Sequence, residues 1–130
     1  MKFAIVVHGA PYASGSSWSA LHFARAVIRS GHEIYRVFFY HDAVYTASAL
    51  MAPPQDELDV HGQWVDLSKQ HTVELVVCIA SSLRRGMLDE TEADRYEKPG
   101  HNLDDAFVIS GLGQLIDAGL NADRLVTFGA

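Results

Sequence analysis

The feature that most constrains this chain is the run Val73-Glu74-Leu75-Val76-Val77-Cys78-Ile79-Ala80. It is apolar with a single interruption and does not alternate, so it reads as a strand buried on both faces. Such a strand belongs in a parallel sheet, where crossover helices supply the cover on either side. The run carries the only cysteine of the chain, and Ser81-Ser82-Leu83-Arg84-Arg85-Gly86 follows, a short helical stretch with a stop glycine. A thiol at the carboxyl end of a buried strand stands where open α/β sheets place their sites.

The remaining segments agree with that architecture. Phe3 to Val7 reads as a first buried strand, and the small-residue loop Gly9 to Ser16 leads to a helix capped near Ser16 or Ser17. Ala20, Phe23, Ala24, Val27 and Ile28 form its inward stripe, and Gly31 suits its end. Glu33 to Tyr40 is a second strand, after which Asp42 is placed to cap a short helix over Ala43 to Ala47. A helix from about Glu57 to Gln70 carries Val60, Trp64 and Leu67 on one face. Asp89 and Glu92 have the spacing of a capping box for a helix ending near Tyr96. Phe107-Val108-Ile109 reads as a brief strand or a strand-like approach to the next helix, that helix carries Leu112, Leu115, Ile116 and Leu120 on one face, and Leu125 to Phe128 is the last strand. The expectation is a single domain over residues 1–130, three layers deep, with a mainly parallel sheet of about five strands and helices on both faces.

Composition removes several functions. A formal charge of −6 argues against binding a phosphate backbone directly, which relies on clustered cations. No stretch approaches the roughly 20 apolar residues of a membrane span, and the opening Met1 to His8 runs into a strand pattern too short for a signal-peptide core. A lone cysteine cannot form an internal disulfide or a structural zinc site, which suits a reducing cytoplasm. The seven histidines lack the H-x-H, H-x-x-x-H and H-E-x-x-H spacings, so no metal is expected. The Gly9 to Ser17 loop lacks both the Walker lysine and the dinucleotide glycine pattern, and no organic cofactor is called for.

What remains is the sheet edge. His8, His41 and Cys78 all fall at or just after strand ends, so they can share one edge. Cys78 and Arg84 have the bare spacing of a cysteine phosphatase, but the intervening residues hold no glycine and look helical. A helix carries Arg84 about 9 Å along its axis, too far to clamp an anion at the thiol. Arg84 and Arg85 read instead as a positive patch for an acidic partner, or as the usual cations of a helix C-terminus. Amides of Ala80, Ser81 and Ser82, with His41 or His8, are the candidate support for a Cys78 thiolate. Phe38, Phe39, Tyr40 and Tyr45 are expected to include partner-contact residues, with ordinary core as their alternative and as the expectation for at least one of Phe38 and Phe39. A free cysteine is also a common small core residue, so position alone leaves the role of Cys78 open.

Val77-Cys78-Ile79-Ala80 with Arg84-Arg85-Gly86 and Asp89 resembles the DsrE/TusD family of sulfur-relay proteins. So do Val37 to Tyr40 with Asp42, Val44 and Tyr45, and the closing Ser110-Gly111-Leu112-Gly113 and Ala122 to Phe128. Ala43 departs from a glycine found in many members, and Tyr96 to Asn102 diverges. The resemblance implies a DsrEFH-like fold and a cytoplasmic sulfurtransferase that holds sulfane sulfur as a persulfide on Cys78. It implies TusB-like and TusC-like subunits in a dimer of heterotrimers, a TusA-like donor and a TusE-like acceptor, serving 2-thiolation of the tRNA wobble uridine. The alternatives are a DsrE-type carrier in sulfur oxidation and a noncatalytic scaffold subunit.

Overall fold

A computed structural model describes all residues, 1–130. The strands are β1 (Lys2–Val7), β2 (Glu33–Phe39), β3 (Leu75–Cys78), β4 (Phe107–Ser110) and β5 (Arg124–Phe128). The helices are α1 (Ser16–Arg29), α2 (Val60–His71), α3 (Ile79–Arg84), α4 (Glu90–Arg95) and α5 (Gly113–Asn121), with a 3₁₀ helix over His41–Ala47. All five strands are parallel, in the order β4-β3-β2-β1-β5. The fold class read from the sequence holds.

The order explains the layers. From β1 through β2 and β3 to β4 the chain steps in one direction, and right-handed crossovers place α1 to α4 on one face. The return from β4 to β5 crosses the whole sheet, which puts α5 alone on the other face. Alternation along the strands then sorts the core. Ile5, Val7, Val37, Phe39, Leu75 and Val77 face α1 and α2 and join Ala20, Leu21, Val60 and Trp64 in the main core. Phe38, Val76 and Cys78 point the other way, into a small cluster closed by Tyr40 and Leu115.

Several boundaries differ from the sequence reading for local reasons. The second long helix begins at Val60, because the Asp59 carboxylate accepts a hydrogen bond from the Gly62 amide at 2.9 Å and caps it there. A side chain at Gly62 would collide with that cap. Helix α1 is preceded by Gly15, while the Ser16 hydroxyl accepts from the Gly9 amide at 3.0 Å. Asp42 does not cap the segment after β2, which is 3₁₀ and begins at His41. Asp89 does cap α4, accepting from the Glu92 amide at 2.8 Å. Helix α5 divides its apolar residues: Leu112, Ile116 and Leu120 face away from the sheet and are 46 %, 63 % and 80 % exposed. The sheet-facing residues are half-buried Leu115 and buried Ala118.

Helix α5 is held by a polar anchor. The register between β1 and β2 skips Tyr35, since Phe3 opposes Ile34 and Ala4 opposes Arg36. Tyr35 and Arg36 both reach Asp117 on α5, at 2.8 and 2.9 Å. Arg36, itself buried, also donates to Glu74 at 2.8 Å and to the Gln114 carbonyl at 2.8 Å. The hydrogen bond from Arg36, and next that from Tyr35, hold the Asp117 carboxyl below the usual aspartate range.

Candidate functional site at the carboxyl edge of the sheet

Cys78 closes β3, beside Ser110 of β4 in the strand register, and α3 starts on the next residue. It is 2 % exposed. Its place in the alternation sends the side chain to the α5 face, against Phe38 and Val76 with Tyr40 and Leu115 as partial cover. The sulfur therefore lies under two half-buried side chains at the carboxyl edge.

The support expected from the first turn of α3 is arranged differently. The Cys78 side chain takes no capping hydrogen bond from the α3 amides. The Ser81 hydroxyl accepts from the His41 amide at 3.1 Å, the Ser82 hydroxyl is buried without a partner, and Ala80 is exposed. Ser81 thus ties α3 to the 3₁₀ segment and does not solvate the thiol. The cause is geometric: strand alternation points Cys78 across the sheet, away from the helical layer its backbone enters.

The histidines do gather at this edge. The His8 ring lies 5.2 Å from His41 and 5.8 Å from Tyr40, and Tyr40 and His41 are 4.1 Å apart. Burial, and next the neighbouring His41, lower the His8 pKa and keep its imidazole neutral near pH 7. His41 has φ of 51°, a left-handed conformation at the sharp exit from β2. Tyr40 is the link, since it packs both on this pair and on the Cys78 cluster. No His, Cys, Asp and Glu group here has the makeup of a metal site.

The candidate docking residues divide. Phe38 and Phe39 are 1 % and 0 % exposed and belong to the core, so they present nothing to a partner. They point to opposite faces of a central strand that is covered on both. Tyr40 is half-buried, while Tyr45 and Arg84 are exposed. Arg85 bonds the Asp42 carboxylate at 2.7 Å and the Ser81 carbonyl at 3.1 Å, so part of its charge is spent within the chain.

One group escaped the sequence reading. Buried His61 has Nδ1 2.6 Å from the Thr46 carbonyl and Nε2 2.9 Å from the Asp104 carboxylate, with its ring stacked on Phe107. It pins the 3₁₀ segment, and with it the His41 end of the site, to the approach to β4. Only the lone pattern of a histidine on the apolar face of α2 hinted at it.

Kinship bears on this edge. No helix is long and apolar enough to cross a membrane. The chain is 48 % identical over 129 residues to the putative sulfurtransferase DsrE of Allochromatium vinosum, covering 99 % of both chains. It is 48 % identical over 128 residues to the sulfurtransferase TusD of Salmonella dublin, covering 98 % of this chain and 100 % of that one. The crystal structure of the YchN protein from E. coli superposes with a TM-score of 0.79 at 25 % identity, over 98 % of this chain and 99 % of that one. Residues 1–128 match the DsrE/DsrF-like family, and the chain belongs to it.

Proposed function

We propose that this chain is a sulfur carrier that takes sulfane sulfur as a persulfide on Cys78 and passes it to an acceptor protein. A DsrE/DsrF-like sulfurtransferase needs a group to hold sulfur between donor and acceptor, and Cys78 is the only thiol. Its address at the carboxyl edge of the sheet is the observation that carries the reading. The Cys78 thiolate attacks the outer sulfur of a donor persulfide, forming a new S–S bond and releasing the donor thiolate. An acceptor thiolate then attacks that outer sulfur, and Cys78 leaves as thiolate. No net oxidation occurs, and no cofactor is consumed. Because Sγ sits beneath Tyr40 and Leu115, both steps require these side chains to swing aside. The same cover slows, without blocking, loss of the persulfide to free thiols between transfers.

The partners of this reading are a TusA-like donor, a TusE-like acceptor, and homologous TusB-like and TusC-like subunits. The exposed stripe Leu112, Ile116 and Leu120 supports a subunit contact through α5, and half-exposed Val108 and Leu125 flank it on the two edge strands. The final product in this reading is the 2-thiolated wobble uridine of tRNA, with sulfur oxidation as the alternative setting. The acidic chain fits a relay that leaves the RNA to another protein.

Incubation with a persulfide donor is expected to add the mass of one sulfur atom to the intact protein. Cys78→Ser is expected to remove that gain and abolish onward transfer while leaving assembly unchanged. Burial of Cys78 favours one other role, a noncatalytic subunit in which the thiol only packs. Transfer that survives in Cys78→Ser would establish that role and sink the carrier.

A further inference from the structure

Between the C-terminal end of α3 and the end of α4 lies a groove of about 710 Å³. Leu83, Leu88 and Tyr96 give it an apolar floor, and Arg84 and Lys98 stand at it as cations. Tyr96 is 51 % exposed, a large aromatic that its own chain leaves half in water. Neither Arg84 nor Lys98 makes an ion pair, and no carboxylate lines the groove although Asp94 and Glu97 are close in sequence. In a chain with 16 acidic and 10 basic residues, two free cations over an apolar floor form a local reversal of charge.

We infer that this groove docks an acidic polypeptide segment of the protein that exchanges sulfur with Cys78, an apolar side chain seated on Tyr96 and carboxylates on Arg84 and Lys98. The inference rests on the carrier reading and names the chemistry of its partner. Position gives it a purpose. Helix α3 runs from the residue after Cys78 to Arg84, about 9 Å of helix. An extended segment covers that length in about three residues and needs a few more to round the sheet edge to the α5 side, where the sulfur lies under Tyr40 and Leu115. The exposed apolar floor and paired cations suit a peptide better than a phosphate backbone, for which the chain's net charge is wrong.

The test uses the full chain and the fluorescein-labelled peptide Glu-Glu-Leu-Phe-Glu-Glu, read by fluorescence anisotropy, with Lys-Lys-Leu-Phe-Lys-Lys as its control. The acidic peptide is expected to bind and the basic one to fail. Arg84→Glu with Lys98→Glu is expected to weaken binding about tenfold or more, and Tyr96→Ser about fivefold, with unchanged thermal unfolding. The serine variant keeps the test decisive should the charge reversal disturb folding. Equal binding of both peptides, full binding by these variants, no binding at all, or tighter binding of a single-stranded polynucleotide would each overturn the inference. Sulfur loading of Cys78 from a small persulfide donor is expected to stay intact in all these variants. Lost binding with intact loading strikes the groove alone, and absent loading with intact binding strikes the carrier reading alone.

Discussion

The two faces of the sheet are built to different standards. Toward α1 and α2 lies a cluster of 22 buried residues, while toward α5 the corresponding cluster has only Phe38, Val76 and Cys78. The first face is closed by apolar packing. The second is spanned by one nine-residue helix that a charged anchor fastens to β2, and its outer stripe is left in water. The thiol sits on the second face. In the carrier reading proposed above, this site admits another protein's sulfur and gains from cover that can yield, and Tyr40 and Leu115 are the cover. Stability resides on one side and access on the other.

Truncation is the strongest way to break that contrast. Trp64 is fully buried, donates its indole N–H to the Ser17 hydroxyl at 3.1 Å, and meets Phe39 edge-on at 5.3 Å. Trp64→Ala is expected to cost about 3–5 kcal/mol in denaturant unfolding. Leu115→Ala, on half-buried cover of the α5 face, is expected to cost about 1–2 kcal/mol. Equal costs would mean the two faces share the burden.

The anchor gives the next largest effect. Arg36→Met leaves Glu74 and Asp117 without their cation, but these carboxylates are 42 % and 43 % exposed and water can serve them. The expected loss is about 1–2 kcal/mol, below the value for a deeply buried pair. The same anchor predicts a pH response. The Asp117 pKa is depressed in the folded chain, so its contribution is whole above the ordinary aspartate value near 4 and fades as pH falls through the lower folded value. Tyr35 is shifted upward chiefly by its hydrogen bond to Asp117, so its share is whole below its ordinary value of 10.0 and fades only as pH rises beyond it. Acid is therefore expected to loosen α5 before α1, seen as earlier loss of α5 amide resonances. Coincident loss, or the same α5 behaviour in Arg36→Met, would contradict the anchor.

The faces also differ in how far they were legible in the sequence. The β3 run announced its burial because a strand covered twice has no alternation to hide it, and Asp89 announced α4 through a cap only three residues long. Helix α5 was legible only in part, because periodicity tells which residues share a face, but not whether that face meets sheet or solvent. Leu112, Ile116 and Leu120 do share one. The anchor was invisible, since Arg36 and Asp117 lie 81 residues apart and meet only through an irregular register at Tyr35. At the site, sequence placed His8, His41 and Cys78 on one edge, but strand alternation turned the sulfur away from the serines of α3. Phe38 and Phe39 read as exposable because aromatics cluster at partner surfaces. A central position in the strand order buries both.

The smallest effect on stability belongs to the outer stripe of α5, and it sharpens the comparison most. Ile116→Glu with Leu120→Glu changes side chains that are 63 % and 80 % exposed, so the unfolding free energy is expected to move by no more than about 0.5 kcal/mol. Association is expected to respond strongly, because each carboxylate would have to be desolvated inside an apolar contact. Sedimentation velocity with the TusB-like and TusC-like subunits of the proposed assembly present is the measurement. Loss of the heavier species with an unchanged unfolding curve would assign the stripe to assembly. An unchanged sedimentation profile would remove α5 from the interface and leave its exposed leucines unexplained. Glycines add a reason to expect the first outcome: Gly113 and Gly119 lie within α5, and no neighbouring atom would obstruct a side chain at either. Gly119, inside the helix, costs about 1 kcal/mol of helix stability relative to alanine, while Gly113 opens its first turn. A helix weakened at Gly119, lacking a side-chain cap at Leu112 and apolar on its outer side, is one that a packed subunit would complete.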